Sequence, residues 1–206
     1  MARRISEDRR SKLRYQKNKI LIAVEGKNKT EKIYFDNFDD GRKRYSISIA
    51  KGNDTDPVKL VISLVKEIAK RDLRLLDGDK AFCIFDTDTN PNKNKLINEA
   101  KRIADANGII VITSSPCIEL WFLLHYEYTT ANLTNEDTLR RLRTYIPNYD
   151  KTTNIFPNIE KNVRTAIERA KKLEIYQKEN NKKIGTIEAN PSTEMYKIVE
   201  YLISNG

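Results

Sequence analysis

Short apolar runs alternate with helix-like patterns along the first half of the chain. Residues 45–50 (YSISIA) alternate polar and apolar residues, whereas in the other runs the apolar residues are mostly consecutive, which is typical of strands buried on both faces. Strands that alternate with helices in this way predict an α/β fold with a mostly parallel sheet of about four strands, flanked by helices. The predicted strands are Lys19–Val24, Tyr45–Ala50, Ala81–Phe85 and Gly108–Thr113.

Proline and capping residues mark where the intervening helices begin. A first helix is predicted over 29–38. Asp56-Pro57 supplies an N-cap and a proline at the first helical position, which opens a second helix. Asn90-Pro91 opens a third. The residues that we expect to face inward from this third helix are Leu96, Ala100, Ile103 and Ala104.

After residue 114 the strand pattern fades and helical patterns dominate. Ser115-Pro116 is a favourable helix start and leads into a predicted helix over Ile118–His125. No internal repeat or low-complexity linker interrupts the chain. We therefore expect one α/β domain over residues 19–206 with a helical C-terminal part. Its further helices are predicted near 135–146, 159–179 and 193–204.

Positive charge is concentrated at the N-terminus. The 206-residue chain has a formal charge of +9, and its first twenty residues hold eight Lys or Arg against Glu7 and Asp8. A basic arm over residues 1–18 suits contact with a nucleic-acid backbone, although a solvated leader would have the same composition. The candidate phosphate-binding residues are Arg3, Arg4, Arg9, Arg10, Lys12 and Arg14.

The apolar segments are too short for a membrane protein. No run approaches 18 apolar residues and the N-terminus has no apolar signal-peptide core, so we expect a cytoplasmic protein without a membrane partner. Cys83 and Cys117 both lie among apolar neighbours and are expected to be buried free thiols.

Acidic residues follow the predicted strands at the positions where ligands bind in open α/β sheets. Glu25 ends the first strand, Asp86 and Asp88 end the third, and Glu119 lies just beyond the fourth. Topology alone brings these ends to one edge of the sheet. Clustered carboxylates repel one another unless a cation neutralises them, and all-oxygen ligands favour Mg²⁺ or Mn²⁺. Ordinary loop-capping Asp residues are the alternative.

Two other kinds of active site are excluded by spacing and composition. The segment 26–30 (GKNKT) follows a strand but lacks the second glycine and the spacing of a phosphate-binding loop. A Ser-His-Asp hydrolase would need His125, the only histidine, and no Gly-x-Ser-x-Gly elbow is present.

Three segments together resemble the RloB-like proteins. They are Val24-Glu25-Gly26 with Thr30-Glu31 and Tyr34-Phe35, then Phe85-Asp86-Thr87-Asp88, then 114–125 (SSPCIELWFLLH). The family is prokaryotic, has a Toprim-like domain, and is associated with restriction-modification and abortive phage-defence loci. Tyr149-Asp150-Lys151 and 190–193 (NPST) resemble its C-terminal half, so the resemblance spans nearly the whole chain.

The resemblance implies a Mg²⁺-dependent nuclease related to the Toprim domains of topoisomerases, primases and overcoming-lysogenization-defect nucleases. It would act on DNA or RNA, tRNA included, as an effector of anti-phage defence. Similar proteins are often encoded beside an ABC-type or AAA-like ATPase, which implies an ATPase partner; a homo-oligomer is also compatible with the sequence.

Carried over by position, the resemblance also implies roles for individual residues. Glu25 matches the Toprim glutamate, a metal ligand or general acid/base, and Asp86 and Asp88 match the metal-binding aspartates. Glu31 and Glu119 would help to hold a second ion. Glu31 lies one residue further from Glu25 than in the usual pattern, so capping its own helix is the alternative.

Two further residues complete the candidate catalytic set. The resemblance implies that Lys151 is a cation that stabilises the transition state. His125 lies on the same predicted helix as Glu119, from which it would orient a phosphate, while simple packing is the alternative reading. Two alternatives to the nuclease stay open. One is a non-catalytic nucleic-acid-binding or ATPase-docking subunit with a vestigial site, and the other is phosphoryl or nucleotidyl transfer.

Overall fold

A computed structural model describes residues 17–26, 29–39, 41–50, 54–88 and 92–206. Its centre is a five-stranded sheet in the order β2-β1-β3-β4-β5, in which the first four strands are parallel and β5 is antiparallel. The strands are β1 Asn18–Val24, β2 Tyr45–Ile49, β3 Lys80–Asp86, β4 Ile110–Ser115 and β5 Ser192–Thr193.

Helices cover both faces of the sheet, as the continuous apolar strands predicted. α2 and α3 pack on one face, whereas α1, α4, α7 and α8 pack on the other. The helices are α1 Lys29–Asp36, α2 Pro57–Lys70, α3 Lys93–Ala106, α4 Glu119–Leu123, α5 Asn135–Tyr145, α6 Phe156–Ile159, α7 Val163–Glu179 and α8 Met195–Ser204.

The two cores follow from the alternation of side chains along β1. Ile20, Ile22 and Val24 point into the core beneath α1 and the C-terminal helices, whereas Leu21 and Ala23 point into the core beneath α2 and α3. All five are almost completely buried. Successive side chains of a strand point to opposite faces, so burial of both sets makes β1 a central strand.

The second helix begins where the sequence predicts. The Asp56 side chain accepts a hydrogen bond from the Lys59 backbone N–H at 3.0 Å, and Pro57 is the first helical residue. Leu60, Val61 and Leu64 form its buried face. Capping of an otherwise unpaired N–H fixes the helix start, which here follows directly from local sequence.

Other local predictions need correction. In α3, Ala100 and Ala104 are buried as predicted, but Leu96 is 39% exposed and Ile97 is buried instead. Positions 97, 100 and 104 share one helical face, and residue 96 lies about 100° around the axis from its neighbour. The predicted helix over Ile118–His125 is shorter, since α4 ends at Leu123.

The C-terminal part also adds a strand to the sheet. Ser192 and Thr193 pair with Ser115 and Ser114 of β4, which makes five strands rather than about four. Buried Glu194 then accepts hydrogen bonds from the backbone N–H and hydroxyl of Thr113, at 3.2 and 2.6 Å. These contacts join the helical C-terminal part to the edge of the parallel sheet.

Three further expectations concern the basic arm, membrane spanning and the cysteines. The basic residues proposed to contact phosphate, at positions 3 to 14, lie outside the described residues. Within the described residues, every helix is too short or too polar to span a bilayer. Cys83 and Cys117 are buried and unpaired, as predicted.

Candidate functional site

A cleft of about 500 Å³ lies at the carboxyl ends of the parallel strands. It is bordered by β1, β3 and the segments that follow them, together with α1, α4, α5 and the turn after α5. Five carboxylates and two lysines line it: Glu25, Glu31, Asp86, Asp88, Glu119, Lys29 and Lys151. The sequence-predicted acids are therefore brought to one cleft.

Sheet topology explains why these acids converge. β1 and β3 are neighbours, with Val24 in register with Ile84, so that Glu25 and Asp86 leave adjacent strands. The chain runs from β1 to β2 on one side and returns to β3 on the other, so the strand order reverses between β1 and β3. Such a switch point opens a crevice at the carboxyl edge.

Two of the acids share a lysine. Lys93 Nζ lies 2.9 Å from both carboxylate oxygens of Glu25 and 2.8 Å from Asp88 Oδ2. The Lys93 side chain is only 9% exposed. Burial lowers the pKa of Lys93, but the hydrogen bonds to Asp88 and Glu25 outweigh it and raise the pKa, so the ammonium stays charged. Burial raises the pKa of Glu25, and Lys93 opposes that rise.

Asp88 is held by its backbone and by a second donor. Its φ of +51° lies in the left-handed region, which is uncommon for a residue other than glycine and costs about 1 kcal/mol. Its N–H donates to the Pro116 carbonyl at 3.0 Å. Asn135, the first residue of α5, donates from Nδ2 to Asp88 Oδ1 at 3.0 Å. Each oxygen of the Asp88 carboxylate thus has its own donor.

The other three acids of the cleft are Asp86, Glu31 and Glu119. Among the described residues, no ammonium lies within ion-pair distance of them. Burial and the nearby charges of Glu31 and Glu119 raise the pKa of Asp86 well above its usual range. Burial, opposed in part by Lys151, raises the pKa of Glu31 to about 7. The charged forms of Asp86 and Glu31 are therefore destabilised, which is the condition that a bound cation relieves.

Glu119 lies at the start of α4 and is 2% exposed. The Tyr149 hydroxyl donates to Glu119 Oε1 over a long 3.3 Å. Burial and the Glu119 charge both raise the pKa of Tyr149, which therefore stays a neutral donor. Burial and the charges of Glu119 and Asp86 raise the pKa of Cys117, so its thiol stays protonated beside the acids.

Lys151 lies at the mouth of the cleft. Its backbone carbonyl accepts a hydrogen bond from Thr30 Oγ1 at 3.1 Å, which ties the turn after α5 to the first turn of α1. Its side chain is exposed. An exposed ammonium beside buried acids is placed to meet an anionic ligand that enters the cleft.

His125 does not line the cleft. It is 2% exposed, follows the short α4, and packs edge-to-face against Trp121 with ring centroids 4.9 Å apart. Its Nδ1 lies 2.9 Å from the Trp121 carbonyl. Burial lowers the pKa of His125 to about 4, so the imidazole is neutral at pH 7. Its surroundings are those of a packed core histidine.

The donor set suits a hard cation, but its present arrangement is not closed around one. Among the described residues, no three acidic, His or Cys side chains are grouped as ligands of a single ion. Glu25 and Asp88 face Lys93 instead. Asp86, Glu31 and Glu119 are the oxygen donors whose mutual repulsion a divalent cation would relieve.

The sequence did not point to Lys93, Asn135 or the Tyr149 hydroxyl as parts of the site. Lys93 had one usable signal, because it lies five residues after Asp88 and the third helix had to begin near that edge of the sheet. Asn135 had none, since it reaches Asp88 from 47 residues away.

Comparison with known proteins gives one result. A family model described as RloB-like protein matches residues 20–202, which is most of the chain and includes every residue that lines the cleft. Searches of curated proteins and of solved structures gave no significant match.

Proposed function

The chain belongs to the RloB-like family, and from that membership and its acidic cleft we propose that it is a Mg²⁺- or Mn²⁺-dependent nuclease of the Toprim type. The observation that supports this most is the surplus of negative charge at the switch point of the sheet. Asp86 and Glu31 both have raised pKa values there and line one cleft with Glu119. A divalent cation is the simplest group that would stabilise all three as carboxylates.

In this proposal the metal is held by the acids that the sequence predicted. Its ligands are drawn from Glu25, Asp86, Asp88, Glu119 and Glu31. When bound, the ion would polarise a phosphodiester and stabilise the charge that develops on it. Lys151 would bind a phosphate oxygen from the mouth of the cleft. Tyr149 would hold Glu119 in place by its hydrogen bond.

The wider biological role rests on the family resemblance. It comprises cleavage of DNA or RNA, tRNA included, as an effector of anti-phage defence, in the cytoplasm and with an ATPase partner. The basic N-terminal arm supports binding of a nucleic-acid backbone, because each Lys or Arg releases condensed counterions on contact.

The test is metal-dependent cleavage of plasmid DNA and of tRNA by the full chain, alone and with an ABC- or AAA-type ATPase supplied as the proposed partner. We expect cleavage in Mg²⁺ or Mn²⁺ but not in EDTA. An Asp86→Asn, Asp88→Asn double variant should lose at least about a hundredfold in rate, or about 2.7 kcal/mol of transition-state stabilisation. Asp105→Asn is the matched control, because Asp105 is exposed near the end of α3.

A non-catalytic binding subunit is the second candidate, and the Lys93 ion pairs favour it. Two of the acids already share an ammonium of the protein, as expected of a structural cluster. Unchanged cleavage by the double variant would refute the catalytic assignment. Wild-type chain that never cleaves, with or without the ATPase, would support the binding subunit. Product analysis separates hydrolysis from phosphoryl or nucleotidyl transfer.

A further inference from the structure

Lys93 and Asn135 together donate to every carboxylate oxygen of the pair Glu25 and Asp88. The Lys93 ammonium contacts three oxygens, both of Glu25 and one of Asp88, at 2.8–2.9 Å. Asn135 contacts the fourth at 3.0 Å. All four oxygens of this pair therefore have a donor within normal hydrogen-bonding distance.

Lys93 is also anchored against leaving. It is the first residue of α3, it is 8% exposed overall, and Glu25 is itself largely buried at 21% side-chain exposure. Withdrawal of the ammonium into solvent would leave largely buried Glu25 without its charged partner, and Asp88, which is 41% exposed, with Asn135 alone. Removal of one partner from a buried ion pair is strongly destabilising.

The remaining acids face the same cleft without an ammonium among the described residues. Two-ion sites place their cations about 3.5–4 Å apart, bridged by shared acids. The Lys93 ammonium supplies a positive charge in contact with Glu25 and Asp88, whereas among the described residues no ammonium contacts Asp86, Glu31 or Glu119.

We infer that Lys93 is a resident second cation of this site: its ammonium stays between Glu25 and Asp88, and the chain binds a single divalent ion, beside Asp86, Glu31 and Glu119. This inference rests on the proposed function and narrows its metal ligands. Lys93 acts as a positioning residue, because it fixes the two acids and supplies positive charge without touching the substrate.

The experiment is a titration of the full chain with Mn²⁺. Binding is measured by isothermal calorimetry and by the electron paramagnetic resonance signal of free Mn²⁺. We expect one ion per wild-type chain. Lys93→Met should bind two, because the vacated pair of acids becomes a second site. Lys93→Arg, which keeps the charge, and Lys95→Met, which removes an exposed lysine two residues away on the same helix, should each bind one.

Several results would overturn the inference. Two ions per wild-type chain would show that Lys93 yields its position to metal while leaving the proposed function intact. One ion in Lys93→Met, at any affinity, would show that the ammonium does not hold a cation position. If Lys93→Met does not fold, as judged by its thermal melt, the wild-type and Lys93→Arg stoichiometries decide. No Mn²⁺ binding by the wild type would refute the proposed function itself.

Discussion

Glu31→Gln should stabilise the protein at neutral and alkaline pH. Glu31 lines the cleft beside Glu119, and burial raises the pKa of its carboxyl from 4.5 to about 7. The charged form is thus less favourable in the folded chain than in the unfolded one. Glutamine keeps the size of the side chain and cannot ionise, so it removes this penalty.

The magnitude follows from the pKa difference. A carboxyl whose folded pKa lies above its unfolded value costs nothing well below the unfolded pKa of 4.5. The cost grows as the pH rises through the interval between 4.5 and about 7, and is constant above it. A shift of that size corresponds to about 3 kcal/mol, since one pKa unit is worth about 1.4 kcal/mol.

The assay is urea unfolding of wild type and Glu31→Gln in metal-free buffer, at about pH 4 and about pH 8. The free energy of unfolding of the variant should exceed that of the wild type by up to about 3 kcal/mol at the higher pH and equal it at the lower pH. Saturating Mn²⁺ should narrow the difference at high pH, because the ion stabilises the wild-type carboxylate.

Glu168→Gln is the control, since Glu168 is exposed on α7 and its substitution should change stability by less than about 0.5 kcal/mol at either pH. A Glu31→Gln variant that is less stable than wild type at high pH would refute the reasoning. So would a pH-independent difference, because both would mean that the Glu31 carboxylate is already well stabilised without metal.

Four further outcomes are expected. Tyr34→Phe should lower the free energy of unfolding, measured in urea, by about 1–3 kcal/mol. The buried Trp121 Nε1–H donates to the Tyr34 hydroxyl at 2.9 Å and would lose its acceptor, so a loss under about 0.5 kcal/mol would contradict this. His125→Gln should retain metal-dependent cleavage to within about threefold, since the imidazole does not line the cleft, and a hundredfold loss would restore its catalytic role. The wild type should also lose part of its advantage in free energy of unfolding over His125→Gln as the pH falls from 6.5 to about 4. In that interval the imidazole of the unfolded wild type binds a proton that the folded wild type does not, which favours unfolding. Deletion of residues 1–16 removes six basic residues and keeps β1. It should reduce the slope of log affinity for nucleic acid against log salt concentration by up to about 5, whereas an unchanged slope would mean that the arm does not contact the backbone.

The elements that sequence predicts well are those fixed by local chemistry. The start of α2 depends on Asp56 and Pro57, which cap the helix from within its own first turn. Burial of β1 on both faces follows from its consecutive apolar residues. Because parallel strands end at a common edge, the convergence of Glu25 and Asp86 also follows from sequence once the strands are located.

The parts that sequence misses depend on partners far along the chain. Lys93 meets Glu25 across 68 positions, and Asn135 meets Asp88 across 47. β5 has only two residues, too few to display the two-residue period of a strand, and it exists through its pairing with β4. No local pattern encodes such contacts, since they arise only when separate elements pack together.

His125 shows how the two readings of a lone histidine differ in structure. It follows Glu119 by six residues and was predicted on the same helix, but α4 ends at Leu123 and the ring packs on Trp121. The apolar residues on either side of it were the better indicator, because a histidine within an apolar run is carried into the core with its neighbours.

The most direct test of the central claim is the anomalous scattering of Mn²⁺ in crystals of the full chain. We expect one anomalous peak in the cleft, within coordination distance of Asp86 and of at least one of Glu31 and Glu119. Lys93 should still lie between Glu25 and Asp88. Absence of a peak at Asp86 in crystals grown with saturating Mn²⁺ would contradict the claim that this cleft is a metal site.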